Sequence, residues 1–182
     1  MFPAAKPPKL SFSSRVIALG GLLTALSWIF LALAVQFPQT SLFLRLLAAL
    51  TLLVAERSIG LLGTGLIYVA TALLTLLFPG PYLTLPYLIY FAPYVLFAFW
   101  STSKLRPRLA VGLRVLIGCG LFLLVVHFYG DQFFPEKFRE QIQPYKWALL
   151  TLLGILGTSL YDYFLALASL AIDENLMSKI KK

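Results

Sequence analysis

The chain has 182 residues, of which 60% are hydrophobic and only 12% are charged, and its mean hydropathy is +0.87. Soluble domains are about one quarter charged and less than half apolar. This composition therefore excludes a water-soluble enzyme, a nucleic-acid-binding module and a disordered tail. Lys and Arg outnumber Asp and Glu by 15 to 7, but the basic residues lie between apolar runs, where they orient membrane helices. We expect an integral membrane protein in contact with lipid and without a nucleic-acid partner.

Six apolar runs are each long enough, or nearly long enough, to form a membrane-spanning helix. The predicted spans are 16–35, 42–55, 59–78, 85–100, 109–129 and 147–172. No period-2 alternation is present, so the sequence predicts an all-α fold of six transmembrane helices in one compact bundle. The second and fourth spans are short and could be tilted, broken or re-entrant.

The predicted domain organisation is a single membrane domain at 15–173 between two cytoplasmic tails. The first tail, 1–14, is expected to be disordered or to lie on the membrane surface, and the second, 174–182, is basic. The first and third connections carry no charge, whereas the N-terminal flank, the fourth connection and the C-terminal tail are basic. By the positive-inside rule, both termini of this multi-pass protein face the cytoplasm of the cell.

Small residues cluster in the first span, at Gly20, Gly21, Thr24 and Ala25. Helices in lipid associate where small side chains let their backbones approach. Packing within the bundle is the ordinary interpretation of such a face. The second interpretation is a docking face for a partner helix, which this span favours because it is flat over several consecutive positions.

Charged residues inside spans need partners because lipid solvates them poorly. Asp162 lies in the last span, and we expect it to pair with Arg114 or Arg57 near the same leaflet. A proton or ion relay is the alternative, but it would need a line of further acidic or histidine groups. Arg45, near the outer end of the second span, could snorkel to the interface or face a binding cavity.

Aromatic and polar residues cluster at the predicted outer ends of the last three spans. Tyr87, Tyr90 and Tyr94 recur at helical spacing and share one face. An interfacial aromatic belt explains such residues, but an aromatic wall with a few polar groups also suits a small ligand. The substrate-binding residues that we predict are Arg45, Tyr87, Tyr90, Tyr94, His127, Asp131 and Trp147.

Neither a catalytic site nor a metal site is indicated by the sequence. Cys119 and His127 are the one cysteine and the one histidine, which excludes a disulfide framework and a zinc site built on several such ligands. His127 and Asp131 lie one helical turn apart but lack a third ligand. No phosphate-binding loop, metalloprotease motif or nucleophile elbow is present. We therefore expect no enzymatic activity, no cofactor and no metal.

Three segments resemble the substrate-binding S components of energy-coupling factor (ECF) transporters, in a bacterial branch of that family. These segments are 15–26, Glu56–Leu77 with Gly60 and Gly65, and the closing Leu160-Tyr161-Asp162-Tyr163. The resemblance implies a six-helix subunit of the bacterial inner membrane that captures a vitamin or similar micronutrient near its outer face. It also implies docking on a transmembrane coupling subunit with associated ATPases, through small residues of the first helix.

Within the docking pattern of that family, Gly21 and Ala25 match, with glycine in place of one alanine. No motif of the thiamine, riboflavin or biotin members is present, so the sequence does not predict the identity of the ligand. The alternative function is a non-transport scaffold that organises a larger complex, similar to the small six-span MreD-like cell-shape proteins. A scaffold needs no ligand pocket.

Overall fold

The computed structural model describes residues 14–133 and 145–180, with side chains throughout these ranges except at 15, 130–133, 146 and 174–180. The described chain is almost entirely helical. Its helices in chain order are α1 (Ser14–Gln36), α2 (Ser41–Leu77), α3 (Pro81–Pro86), α4 (Ala92–Lys104), α5 (Pro107–Phe133) and α6 (Lys146–Ile180). A 3-10 turn, Pro38–Thr40, precedes α2, and a π-helical turn, Tyr87–Phe91, joins α3 to α4.

Five segments of the described residues are long and apolar enough to cross a membrane. They are Val16–Gln36, Pro38–Leu77, Pro81–Lys104, Pro107–Tyr129 and Trp147–Asp173. Large apolar side chains such as Leu66, Leu116 and Leu160 are exposed on their outer surfaces, as expected for helices surrounded by lipid. The structure thus supports the membrane class, with five apolar segments where the sequence predicted six spans.

The difference in number lies in α2, which contains both the second and the third predicted span. Its backbone leaves the helical conformation at Gly60, where φ is 79° and ψ is 176°. A positive φ combined with this extended ψ is a conformation that is essentially restricted to glycine, which has no Cβ. The Thr64 hydroxyl donates to the Gly60 carbonyl at 3.0 Å, within the first turn of the segment that follows.

The contacts of α1 show that the chain doubles back at Gly60. Ser27 Oγ donates to the Ala48 carbonyl at 3.4 Å, and the neighbouring Trp28 Nε1 donates to the Phe78 carbonyl at 2.7 Å. In a continuous helix, Ala48 and Phe78 would lie about 45 Å apart. Both can meet adjacent residues of α1 only because the two halves of α2 run in opposite directions beside it.

The fourth predicted span is an interrupted helix that contains α3, the π-helical turn and α4. Pro93 has no N–H to donate to the carbonyl four residues before it, and its ring would clash with that carbonyl in a regular helix. The wider π-helical turn accommodates this position. Carbonyls of the turn instead accept phenol hydrogen bonds, from Tyr68 to Leu88 at 2.9 Å and from Tyr161 to Phe91 at 3.2 Å.

The ends of the chain differ from the predicted tails or lie outside the description. Residues 1–13 of the predicted N-terminal tail are not among the described residues, and α1 begins at Ser14. The last helix continues to Ile180 instead of ending at 172, so the predicted basic tail is helical over most of its length. Residues 173–182 contain no glycine or proline to end a helix.

Candidate functional site

The three predicted aromatic ligands on α3–α4 lie in the core of the bundle. Tyr87, Tyr90 and Tyr94, for which the spacing predicts a shared face, are all buried. Tyr87 shares a 3.1 Å hydrogen bond with Ser27 of α1, and Tyr90 shares one of 3.3 Å with Thr158 of α6. These phenols therefore contribute to helix packing, with their hydroxyl groups occupied by the protein.

The structure does not bring the full predicted binding set together. His127 and Trp147 are exposed on the surface of α5 and α6, in contrast to the buried tyrosines. Asp131 belongs to α5, but its side chain lies outside the described residues. Arg45 is half-buried near the start of α2, where its Nη2 donates to the Leu83 carbonyl at 3.2 Å. The predicted pocket thus divides into a packed core, an exposed surface and a separate region around Arg45.

The predicted intramembrane pair, Arg114 and Asp162, is brought together between α5 and α6. Arg114 Nη1 lies 2.9 Å from Asp162 Oδ1, and Tyr94 donates to the same oxygen at 3.1 Å. Arg57, the other partner considered for Asp162, instead lies 3.1 Å from Asp173 Oδ2. An ion pair with additional hydrogen bonds is the arrangement that permits burial of charge in a low-dielectric interior.

Tyr161 belongs to the same buried cluster, although the sequence alone did not assign it a site role. Its ring packs against Tyr90 and Tyr94 with centroid distances of 5.8 and 5.2 Å. The signal available in the sequence was its spacing, since it follows Thr158 by three residues and directly precedes Asp162. Its hydroxyl bond to Phe91 ties α6 to the π-helical turn.

An apolar groove with a volume of about 980 Å³ lies between α1 and the second half of α2. All four predicted docking residues, Gly20, Gly21, Thr24 and Ala25, line its α1 wall. The other wall contains Leu62, Gly63, Gly65, Leu66 and Val69, among other residues of α2.

The floor of the groove consists of backbone and small side chains that nothing covers within the described residues. A methyl group added at Gly20, Gly21 or Gly65 would meet no atom within 4 Å. The Thr24 hydroxyl donates to the Gly20 carbonyl at 2.9 Å, so its own helix satisfies it. The groove therefore offers an apolar surface with little polar character.

No protein-family model, curated protein or solved structure matches this chain. The geometry of the groove, of the buried cluster and of the region around Arg45 is therefore the basis for a functional proposal.

Proposed function

We propose that this protein is the substrate-capture subunit of an ECF-type micronutrient uptake transporter. In this role it binds a small solute near the outer face of the membrane and docks on a transmembrane coupling subunit with associated ATPases. The observation that carries the proposal is the groove between α1 and α2, which none of the described residues fills and whose α1 wall includes the four residues singled out for docking.

The chemistry of the groove favours a helix of a partner protein as its occupant. Helices in lipid gain little from burying leucine, because lipid chains are equally apolar, and they associate where close packing is possible. Glycines on both walls, Gly21 on α1 and Gly65 on α2, leave backbone accessible to a close approach. A disordered acyl chain would gain less from such a rigid, flat surface than a helix would.

The proposed topology has six membrane crossings with both termini in the cytoplasm. The reversal at Gly60 supports it, because the two halves of α2 are each about 25–30 Å long at the helical rise per residue. The basic flanks support the same orientation through the positive-inside rule. In this topology Ser58, beside the reversal, lies on the cytoplasmic side, and Gln39 lies on the outer side.

Single-cysteine labelling tests this topology in a Cys119→Ala background. We expect impermeant thiol reagents to modify cysteines at Ser58 and Lys182 from the cytoplasmic side, and cysteines at Gln39 and within 135–143 from the outer side. Modification of positions 58 and 39 from the same side would contradict six crossings. Modification of positions 182 and 135–143 from the same side would contradict the orientation of the last helix.

The docking proposal is tested by filling the groove. We expect Gly21→Leu combined with Ala25→Leu to leave the isolated protein folded, because both residues are exposed, and to abolish co-purification with a coupling subunit. The matched control is Ala18→Leu, an exposed position on the same helix that does not line the groove. This control should retain the association.

Two results would contradict docking in the groove. One is full association of the double variant with the coupling subunit. The other is loss of folding of the isolated double variant in a thermal melt, since this would show that the α1 face packs within the bundle.

A non-transport scaffold of the MreD-like type is the second candidate function. The observation that favours it is the occupation of Tyr87, Tyr90 and Tyr94 by protein groups, which leaves these tyrosines unavailable to a solute. A scaffold would use the same groove for its partner. Native mass spectrometry of the purified protein separates the two functions, because only the capture subunit should retain a bound small molecule.

A further inference from the structure

Arg45 has an environment that differs from that of the other buried arginines. The ion pairs of the described residues join Arg57 to Glu56 and Asp173, and Arg114 to Asp162, and none of them includes Arg45. Within the described part of the chain, its hydrogen bond goes to the Leu83 carbonyl. A guanidinium group has five N–H donors, so most of the donor capacity of this half-buried cation is not used by the described residues.

Tyr129 of α5 lies at the same end of the bundle and also has an unused donor. Its side chain is 8% exposed, and its hydroxyl oxygen is buried without a hydrogen-bond partner among the described residues. Neighbouring residues of α3 place the two side chains in one region, because Arg45 donates to the Leu83 carbonyl and the Tyr129 ring stacks on that of Tyr82. By contrast, the buried hydroxyl groups of Tyr87, Tyr90 and Tyr94 each bond to another side chain.

A stacked and partly exposed pair of aromatic rings adjoins these two donors. The rings of Tyr82 and Tyr129 stack with centroids 5.0 Å apart and an interplanar angle of 23°. Tyr82 is 49% exposed, and the neighbouring Leu83 is also exposed. A ligand can therefore approach the half-buried Arg45 from the side on which Tyr82 and Leu83 are exposed, and the paired rings offer an apolar surface to the remainder of that ligand.

We propose that Arg45 and Tyr129 bind an anionic oxygen group, a carboxylate or a phosphate, at the end of the bundle where α2 begins. The planar guanidinium matches the geometry of such groups, and the Tyr129 hydroxyl donates a further hydrogen bond. The anion supplies the acceptors that the described residues do not provide. The claim that the bound anion is the captured substrate rests on the proposed capture function. The claim that an anion binds at this site does not depend on that function.

The group can belong to a free solute or to an anionic lipid headgroup, and two arms of one experiment distinguish these sources. In the first arm, benzoate and inorganic phosphate are titrated into the full-length protein in a neutral detergent, with calorimetric detection. Benzamide, which has the shape of benzoate without its charge, is the ligand control. In the second arm, retention of phosphatidylglycerol against phosphatidylcholine is measured by native mass spectrometry from mixed nanodiscs.

Three variants define the expected result. Arg45→Gln should abolish binding of the anion, and Tyr129→Phe, which removes one hydroxyl, should weaken it about tenfold, the factor expected for one charge-assisted hydrogen bond. Arg45→Lys should bind with intermediate affinity, because lysine keeps the positive charge but lacks the paired N–H donors of the planar guanidinium. Arg106→Gln, at an exposed position before α5, is the matched control and should bind like the wild type.

Binding of benzoate or phosphate with this variant pattern identifies a solute site, and selective retention of phosphatidylglycerol with the same pattern identifies a lipid site. Absence of anion binding in both arms would overturn the proposal, as would binding that Tyr129→Phe leaves unchanged. If Arg45→Gln does not fold, the near-isosteric Tyr129→Phe decides the question. Co-purification with a coupling subunit is measured separately, so failure of the transporter role is distinguishable from failure of the anion site.

Discussion

Glycines lie in two regions of this protein, the contact between α5 and α6 and the groove between α1 and α2, and their surroundings differ. At Gly118, on α5, an added methyl group would collide with Thr158 and would lie 2.8 Å from Tyr94 Cε2. At Gly154, on α6, it would lie 3.0 Å from the Phe122 ring. At Gly21, in the groove, it would meet no atom within 4 Å. The same residue type thus permits close packing in one region and leaves an open surface in the other.

The contact among α4, α5 and α6 contains a buried ion pair and phenol hydrogen bonds, whereas the groove contains almost no polar groups. Tyr94 packs over Gly118 and also donates to Asp162, which pairs with Arg114. Gly118 therefore lets α5 approach α4 and α6 closely enough for the pair of Arg114 and Asp162 to form beside it. We infer that the α4–α5–α6 contact stabilises the fold, and that the α1–α2 groove is available for association.

The largest expected effect in this comparison comes from breaking the buried ion pair. Asp162→Asn leaves the Arg114 guanidinium, which is 4% exposed, without its counter-charge, and loss of one partner of a buried pair costs about 3–5 kcal/mol. We expect that decrease in the free energy of unfolding, measured by denaturant titration of the detergent-solubilised protein.

Two further variants serve as controls for this measurement. Arg108→Met, at an exposed position on the same helix, should change the free energy of unfolding by less than about 0.5 kcal/mol. Arg114→Met combined with Asp162→Leu should recover much of the loss, because removing both charges leaves neither one unpaired. Unfolding of Asp162→Asn at the wild-type denaturant concentration would show that the pair does not stabilise the α5–α6 contact.

The sequence predicted those features of the fold that depend on composition and local spacing. The apolar runs predicted the long helices, and the scarcity of charge inside spans limited the partners of Asp162 to two arginines. The helical spacing of Tyr87, Tyr90 and Tyr94 predicted a shared face, and the structure buries all three side chains. The helices that these tyrosines contact could not be predicted locally, since Ser27 and Thr158 lie 60 and 68 residues away from their tyrosine partners along the chain.

The sequence could not predict features that depend on tertiary contacts, because the residues that make these contacts lie far apart along the chain. The small residues of the first span were consistent with either internal packing or an open face, and only the surroundings of Gly21 distinguish these cases. The reversal at Gly60 depends on a backbone conformation that glycine allows but does not impose. The separation of Arg45 from the core tyrosines depends on the path of α3 and on its carbonyl at Leu83.

A smaller effect, from adding one methyl group, tests the comparison most directly. Gly118→Ala should lower the free energy of unfolding by about 1–3 kcal/mol, because the new Cβ forces Thr158 and the Tyr94 ring to move in a packed region. Gly21→Ala adds the same group to the open groove and should leave stability unchanged or raise it by up to about 1 kcal/mol, because alanine is the better helix former. Differential scanning fluorimetry and denaturant titration of the two variants measure this difference. Equal destabilisation by both would mean that the α1 face is as closely packed as the α5–α6 contact, and a partner helix would then have no open surface on which to dock.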